Sequence, residues 1–215
     1  MNKNDVFSKI FNWMGFGFLL TFITGYIIST TNDFINVLFG TKLYLLFALI
    51  EIVLVLVLSA KVYKLKKTTA GILFMIYSFV SGITFSSIFI LYNVTSLIYV
   101  FIITAILFMI LSMFGKSTKY DLTKISTYLL IALIGTILTS IINIFISNSF
   151  LDTILSIILV VIFCCMTAYD VQKINKNFEV VNKNESYAIY FALELYLDFI
   201  NIFLNLLNLF GKGRD

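Results

Sequence analysis

A run of 48 consecutive residues, 68–115, carries no charged side chain, and it constrains this chain more than any other feature. A helix needs about 20 predominantly apolar residues to cross a bilayer. The run is therefore long enough for two crossings, and the polar segment 93–96 predicts a break between them. Such a run is typical of an integral membrane protein.

Composition supports the same fold class. Apolar residues make up 60% of the 215 residues and charged residues 12%, whereas soluble domains have about 45–50% and about 25%. This excludes an ordinary soluble enzyme, a disordered protein and a coiled coil. We predict an all-α integral membrane protein, residues 1–215 forming a single domain of seven transmembrane helices with short loops. The predicted helices are 10–31, 43–60, 70–91, 96–114, 125–147, 150–169 and 187–210.

The positive charges predict the orientation, because cytoplasmic loops of membrane proteins are enriched in Lys and Arg. With the N-terminus in the cytoplasm, twelve of the 15 basic residues fall on the inner side, and the C-terminus lies outside. The net charge of +4 is then a topology signal, so we expect no nucleic-acid partner. The expected partner is the lipid bilayer, the expected oligomeric state is a monomer, and protein partners stay open.

The residues that are absent narrow the chemistry. The chain has no His, so imidazole catalysis and His-ligated metals are excluded, and it has no Pro. Its two cysteines, Cys164 and Cys165, are adjacent in an apolar run, where they predict apolar packing rather than a disulfide or a metal site. We therefore expect no cofactor and no enzymatic activity.

Acidic residues lie where the neighbouring side chains are apolar. Glu51, Glu194 and Asp198 fall inside predicted helices, and Asp170 falls at the inner end of the sixth. A charge at the centre of a bilayer helix costs ~2.5–3.5 kcal/mol on insertion scales, and such residues usually face the protein interior or a water path. Lys61, at the inner end of the second helix, is the nearest candidate counter-ion.

The seventh predicted helix carries the sharpest pattern. Five polar residues follow each other at spacings of 4, 3, 4 and 3, which places them on one face of an α-helix: Glu194, Asp198, Asn201, Asn205 and Asn208. Two carboxylates on such a face favour a path for cations or protons. The alternative is that the Asn side chains join neighbouring helices by hydrogen bonds.

Three segments resemble the Bax inhibitor-1 family, the transmembrane Bax inhibitor motif proteins. They are YSFVSGITFSSIF (77–89), MTAYDVQKI (166–174) and ALELYLDFINIFLNLLNLFG (192–211). The resemblance implies six helices packed around a central seventh, and a pH-sensitive calcium leak with calcium as the transported ion. It also implies that Asp170 and Asp198 form the pH sensor and bind the metal. The family has Arg where this chain has Asn208, and typically Arg where it has Lys61.

General chemistry explains how such a pair would work. Two carboxylates within hydrogen-bonding distance cannot both ionise at low cost, so they share a proton. Loss of that proton creates a cation site, and calcium prefers carboxylate oxygens. Deprotonation would also release Asp170 to pair with Lys61, which would shift the helices.

Two other functions compete with the channel. An intramembrane aspartyl protease also uses two Asp residues on neighbouring helices, but those enzymes have Gly-x-Gly-Asp where this chain has Leu195-Tyr196-Leu197-Asp198, and they need a Pro that this chain lacks. A membrane protein that acts only by binding or regulating other proteins is the second alternative. Since the chain has no long N-terminal extension, the expected location is a bacterial inner membrane.

Overall fold

A computed structural model of the protein describes residues 3–61 and 64–214. Within these ranges the secondary structure consists of nine α-helices, and no β-strand is present. The helices are α1 (Lys3–Ser29), α2 (Asn32–Gly40), α3 (Leu43–Lys61), α4 (Lys67–Leu91), α5 (Val94–Ser117), α6 (Thr123–Ile146), α7 (Ser149–Lys176), α8 (Phe178–Lys183) and α9 (Ser186–Phe210).

Seven of these helices are long and apolar enough to cross a membrane, and only α2 and α8 are too short. This confirms the all-α integral membrane class. The helices α9 and α4 are the most buried of the seven, whereas α3 and α6 expose most of their apolar side chains. That exposure is expected for helices that face lipid tails, which are as apolar as leucine. The arrangement of six helices around α9 stays a prediction.

The helix ends differ from the expected ones at functionally relevant places. The first helix begins at Lys3 rather than at residue 10. The sixth spanning helix, α7, continues to Lys176, so Asp170 lies nearly two turns inside it instead of at its end. The expected inner loop after Asp170 is therefore partly helical, and it also contains the short α8.

The connection between α6 and α7 shows how local chemistry ends one helix and starts the next. Ser147 has φ 55° and follows the last residue of α6 in the left-handed conformation. The Asn143 side chain then donates to the Asn148 carbonyl at 3.1 Å and to the Asp152 carboxylate at 2.5 Å, while its own oxygen accepts from the Asn148 amide. Asn143 is buried, so these bonds replace the water that a helix end would otherwise need.

The described chain divides into two compact units. The first comprises the described residues of Met1–Asn93, with Asn177–Tyr196 and Arg214. Its core is the contact of α1 with α4, where an ideal Cβ on Gly82 would stand 2.5 Å from the Cβ of Thr24. Only glycine permits this approach, so Gly82 allows α1 and α4 to pack closely.

The second unit comprises Val94–Lys176 and Leu197–Gly213. In this unit α7 packs against both α5 and α6. The second half of α9 joins it through aromatic contacts, in which Phe199 packs on Phe101 and Phe108 at ring-centroid distances of 5.3 and 5.6 Å. Each unit thus contains part of α9, and the second unit contains both aspartates of the expected sensor.

Candidate functional site

Asp170 and Asp198 are both buried in the second unit. Their exposed fractions are 5% and 2%. Asp198 lies 12 residues after the start of α9, which is about 18 Å along the helix axis. Its carboxylate is close enough to the Cys164 thiol of α7 to interact with it electrostatically. Two carboxylates are therefore held away from solvent within one packed unit, on α7 and α9.

Polar contacts anchor the end of α7 beyond Asp170. The Gln172 side chain donates to the Tyr120 carbonyl at 2.7 Å and accepts from the Leu122 amide at 3.0 Å. One turn later Lys176 donates to the Asp121 carboxylate at 2.6 Å. The Lys176 ammonium, followed by hydrogen bonds from Thr123, lowers the pKa of Asp121. The segment that carries Asp170 is thus tied to the connection between α5 and α6.

The other polar residues on this face of α9 are bonded in different ways. Glu194 accepts a short hydrogen bond from Tyr190. The amides of Asn201 and Asn205 donate, each at 2.8 Å, to carbonyls four residues earlier in the same helix. Asn208 donates to Ser156 on α7 at 2.8 Å, which is a bond between helices. Asn208 therefore makes the hydrogen bond between helices that was the alternative to an ion path. Asn201 and Asn205 are half-buried, and their amides are bonded within α9.

Glu51 accepts a hydrogen bond from a neighbouring helix of the first unit. The Thr84 hydroxyl of α4 lies 2.7 Å from its carboxylate. Lys61 ends α3 with an exposed side chain, and its expected pairing with Asp170 stays a prediction. Among residues 3–61 and 64–214, no group of three or more His, Cys, Asp or Glu side chains is placed to hold a metal ion.

A buried hydroxyl cluster in the first unit was not expected from the sequence. Thr21 of α1 donates to the Ser78 carbonyl at 2.8 Å and lies 2.7 Å from the Tyr196 hydroxyl. The oxygen of Ser81 stands 3.4 Å from the same hydroxyl. The Tyr196 ring stacks on Phe18 at 4.9 Å. A Thr and a Tyr in apolar segments give no sequence signal that they meet, because 175 residues separate them.

An ion-pair cluster, Lys9–Glu185–Lys67, was also missed. The Glu185 carboxylate lies 2.5 Å from each of the two ammonium groups. These hydrogen-bonded ammonium groups, Lys67 first, lower the pKa of Glu185 from its ordinary 4.5 to about 2. The cluster joins the starts of α1 and α4 to the residue before α9. The sequence analysis used Lys9 and Lys67 only as signals of membrane orientation. Their pairing with Glu185 could not be inferred, because Lys9 and Glu185 are 176 positions apart.

These helices define an integral membrane protein with seven candidate spans. The sequence profile described as inhibitor of apoptosis-promoting Bax1 matches residues 3–215. The chain is 38% identical to a protein of Borreliella burgdorferi over 99% of its own length and 94% of the relative's. It is 37% identical to the inner membrane protein YbhL of Escherichia coli K12, and the match covers 96% of this chain and 91% of the relative.

A membrane protein of Streptococcus pyogenes serotype M1 is 34% identical, with 98% of this chain and 93% of the relative covered. Matches of this identity extend over almost the whole chain, so they include both units. The chain belongs to the Bax inhibitor-1 family. This confirms the resemblance that the segments of the third, sixth and seventh spans indicated.

Proposed function

We propose that this protein is a pH-sensitive calcium leak channel of a bacterial inner membrane, gated by protonation of Asp170 and Asp198. The observation that carries the proposal is the burial of both carboxylates in one unit of a membrane protein. Buried ionisable groups inside spans are costly and usually mark ion or proton paths. The inner-membrane location rests on the relative from Escherichia coli.

Protons and calcium compete for the same oxygens in this mechanism. When the two carboxylates share a proton, the pair carries one negative charge instead of two and offers a cation fewer anionic oxygens. When the proton leaves, the pair gains a negative charge and becomes a site that Ca²⁺ can occupy transiently. Ca²⁺ needs six to eight oxygen ligands, so two carboxylates bind it weakly enough for release. Acidification should therefore suppress the flux.

The polar face of α9 supplies the rest of the mechanism. Asn201 and Asn205 continue the line of Asp198 towards the end of α9, and Glu194 extends it towards the start. Glu51 is a further acid in a span, held by Thr84. In the proposal these side chains offer oxygens to the passing cation. Lys61 acts as the counter-ion that Asp170 reaches after deprotonation.

The test is calcium flux into dye-loaded liposomes that contain the purified protein, measured from roughly pH 5 to 8. We expect wild-type flux to fall on acidification. Asp170→Asn and Asp198→Asn each remove one titrating group at nearly constant volume, so each should flatten the pH profile. The double variant should resemble the single variants, because residues that act as one unit are not additive.

Asp121→Asn is the matched control. It removes the same charge in the same unit, but from an exposed side chain outside the spans. We expect its pH profile to follow the wild type. A wild-type profile in Asp198→Asn would remove the pair as sensor and leave Glu51 or Glu194 as candidates. Absence of flux at every pH would favour the protein that acts only by binding other membrane proteins.

A further inference from the structure

Two cavities of the first unit share a wall. An open groove of about 560 Å³ follows α4, and a second cavity of about 280 Å³ lies at its charged end. Trp13 and Lys67 line both cavities. The two cavities differ in character, because the first is almost entirely apolar and the second carries charged and amide groups. Together they form an amphipathic site, which neither the pair of aspartates nor the hydroxyl cluster uses.

The apolar groove has the length of one bilayer leaflet. Its lining along α4 runs from Lys67 to Phe79, which is about 18 Å at 1.5 Å per residue. Half of a typical hydrocarbon core is about 15 Å. Its volume falls within the ~300–1,000 Å³ of ligand sites in proteins. Ile72, Met75 and Ile76 complete the lining. A single acyl chain fits this shape and polarity.

The second cavity carries the charges that a headgroup would meet. Its polar lining consists of Lys9, Asn12, Lys67 and Glu185, and its aromatic lining of Trp13 and Phe16. Each ammonium group has three N–H donors, and the contact with Glu185 uses one donor of each. Their side chains are 39% and 55% exposed, so further donors point towards an incoming anion.

The surrounding charge is positive. In the Lys9–Glu185–Lys67 cluster two ammonium groups face one carboxylate. Lys66 immediately precedes Lys67 in the chain. Basic clusters beside a spanning helix attract anionic lipids, with about 1 kcal/mol for each Lys or Arg near the surface. A zwitterionic headgroup carries its own cation and gains less from such a cluster.

We propose that this site binds one anionic phospholipid. Its phosphate contacts Lys9 and Lys67, its headgroup occupies the smaller cavity, and one acyl chain lies in the groove along α4 beside Trp13. The lipid phosphate accepts hydrogen bonds from those N–H groups of Lys9 and Lys67 that do not donate to Glu185. This site is separate from the proposed gate, and the inference holds whether or not the protein conducts calcium.

The chain contains one Trp, so its fluorescence reports on this site alone. The protein is reconstituted in phosphatidylcholine vesicles with a small fraction of brominated phosphatidylglycerol, or the same fraction of brominated phosphatidylcholine. Bromine quenches Trp13 on contact. Lys9, Lys67 and Glu185 together carry one net positive charge. We therefore expect roughly fivefold stronger apparent binding of the anionic lipid, the factor that one such charge near a lipid surface supplies. Added salt should reduce this preference.

Opposite charge changes should have opposite effects. Lys9→Gln with Lys67→Gln removes both positive charges and leaves the Glu185 carboxylate at the site, so the preference for the anionic lipid should disappear or reverse. Glu185→Gln should strengthen the preference for the anionic lipid, because both ammonium groups are then released to it. Lys176→Gln, which breaks the ion pair of Lys176 with Asp121 in the second unit, is the matched control and should leave the preference unchanged. Ile76→Phe should narrow the groove and weaken quenching by both lipids.

Several results would overturn the proposal. Equal quenching by both lipids in the wild type would mean unselective lipid contact. A preference that survives the double lysine variant would place the anion elsewhere. A preference abolished by millimolar inorganic phosphate would assign the polar cavity to a free anion instead. Loss of preference in Glu185→Gln would mean that the ion pairs shape the site rather than compete with the lipid.

Discussion

At the scale of single residues, acids in the spans are stabilised by hydroxyl donors from nearby side chains. The Thr84 hydroxyl donates to Glu51 from an adjacent helix, and the Tyr190 hydroxyl donates to Glu194 from one turn earlier in α9. A typical hydrogen bond contributes about 0.5–1.5 kcal/mol. Such bonds help to hold these two acids in place inside the spans.

Glu185 lies outside the spans and should not contribute to pH sensing near neutrality. Its lowered pKa of about 2 means that the ion pairs stabilise the fold above pH 4.5 and lose this effect as pH falls from there towards 2. We therefore expect the pH profile of calcium flux in Glu185→Gln to match the wild type from roughly pH 5 to 8. Stability should fall by at most about 1 kcal/mol for each exposed pair. A shifted flux profile would make the ion-pair cluster part of the gate.

Gly115 is required by the packing of α5 on α7. Any Cβ at this position would overlap the carbonyl oxygen of Ala168, which is backbone and cannot move away alone. Gly115→Ala should lower the unfolding free energy in detergent micelles by about 1–3 kcal/mol. Gly135→Ala in α6 is the control, because nothing lies within 4 Å of its Cβ position. It should be neutral or add up to about 1 kcal/mol from helix propensity. Equal effects at both positions would contradict the contact.

At the scale of elements, α9 combines two faces with different tasks. One face packs through Leu195, Phe199 and Phe203, whose exposed fractions are at most 4%. The other carries the acids and amides at spacings of 4 and 3. A helix with this division can hold the protein together and still offer polar atoms to an ion. Labelling of introduced cysteines separates these tasks.

Cysteines at 201 and 205 should react with small water-soluble thiol reagents faster than those at 199 and 203. The background must lack Cys164 and Cys165, because Cys165 is exposed and Cys164 partly so. We expect the difference to grow at the pH where flux is high, because the proposed mechanism lets water enter along the polar face only in the open state. Cysteines at 194 and 198 should follow the polar set, and one at 195 the buried set. Equal rates for both sets would indicate that the face serves helix packing.

At the scale of the whole molecule, an odd number of spans puts the two termini on opposite sides of the membrane. Seven candidate spans and the bias of twelve basic residues to three predict a cytoplasmic N-terminus. A reporter fused after residue 215 should be active outside, and one inserted between residues 61 and 68 should be active inside. Both reporters on one side would contradict seven spans, and a reversed pair would contradict only the orientation.

The sequence determined the features that depend on neighbouring residues. Long uncharged runs are read directly as spans, and the break before Val94 follows from the polar segment 93–96. The polar face from Glu194 to Asn208 likewise follows from residue spacing and helix geometry, so it can be predicted without any knowledge of how the helices pack. Asp170 was predicted at the end of the sixth span, but α7 continues past it to Lys176, where Gln172 makes contacts with residues distant in sequence.

Which side chains meet depends on the packing of the helices. The approach of Thr21 to Tyr196, the bond of Thr84 to Glu51, and the Lys9–Glu185–Lys67 cluster each join residues between 33 and 176 positions apart. Hydrophobic patterning constrains which face of a helix is buried but not which neighbour covers it, because lipid and apolar side chains attract a helix equally. Polar contacts and close glycine packing choose among these neighbours, and both depend on atoms that the fold brings together.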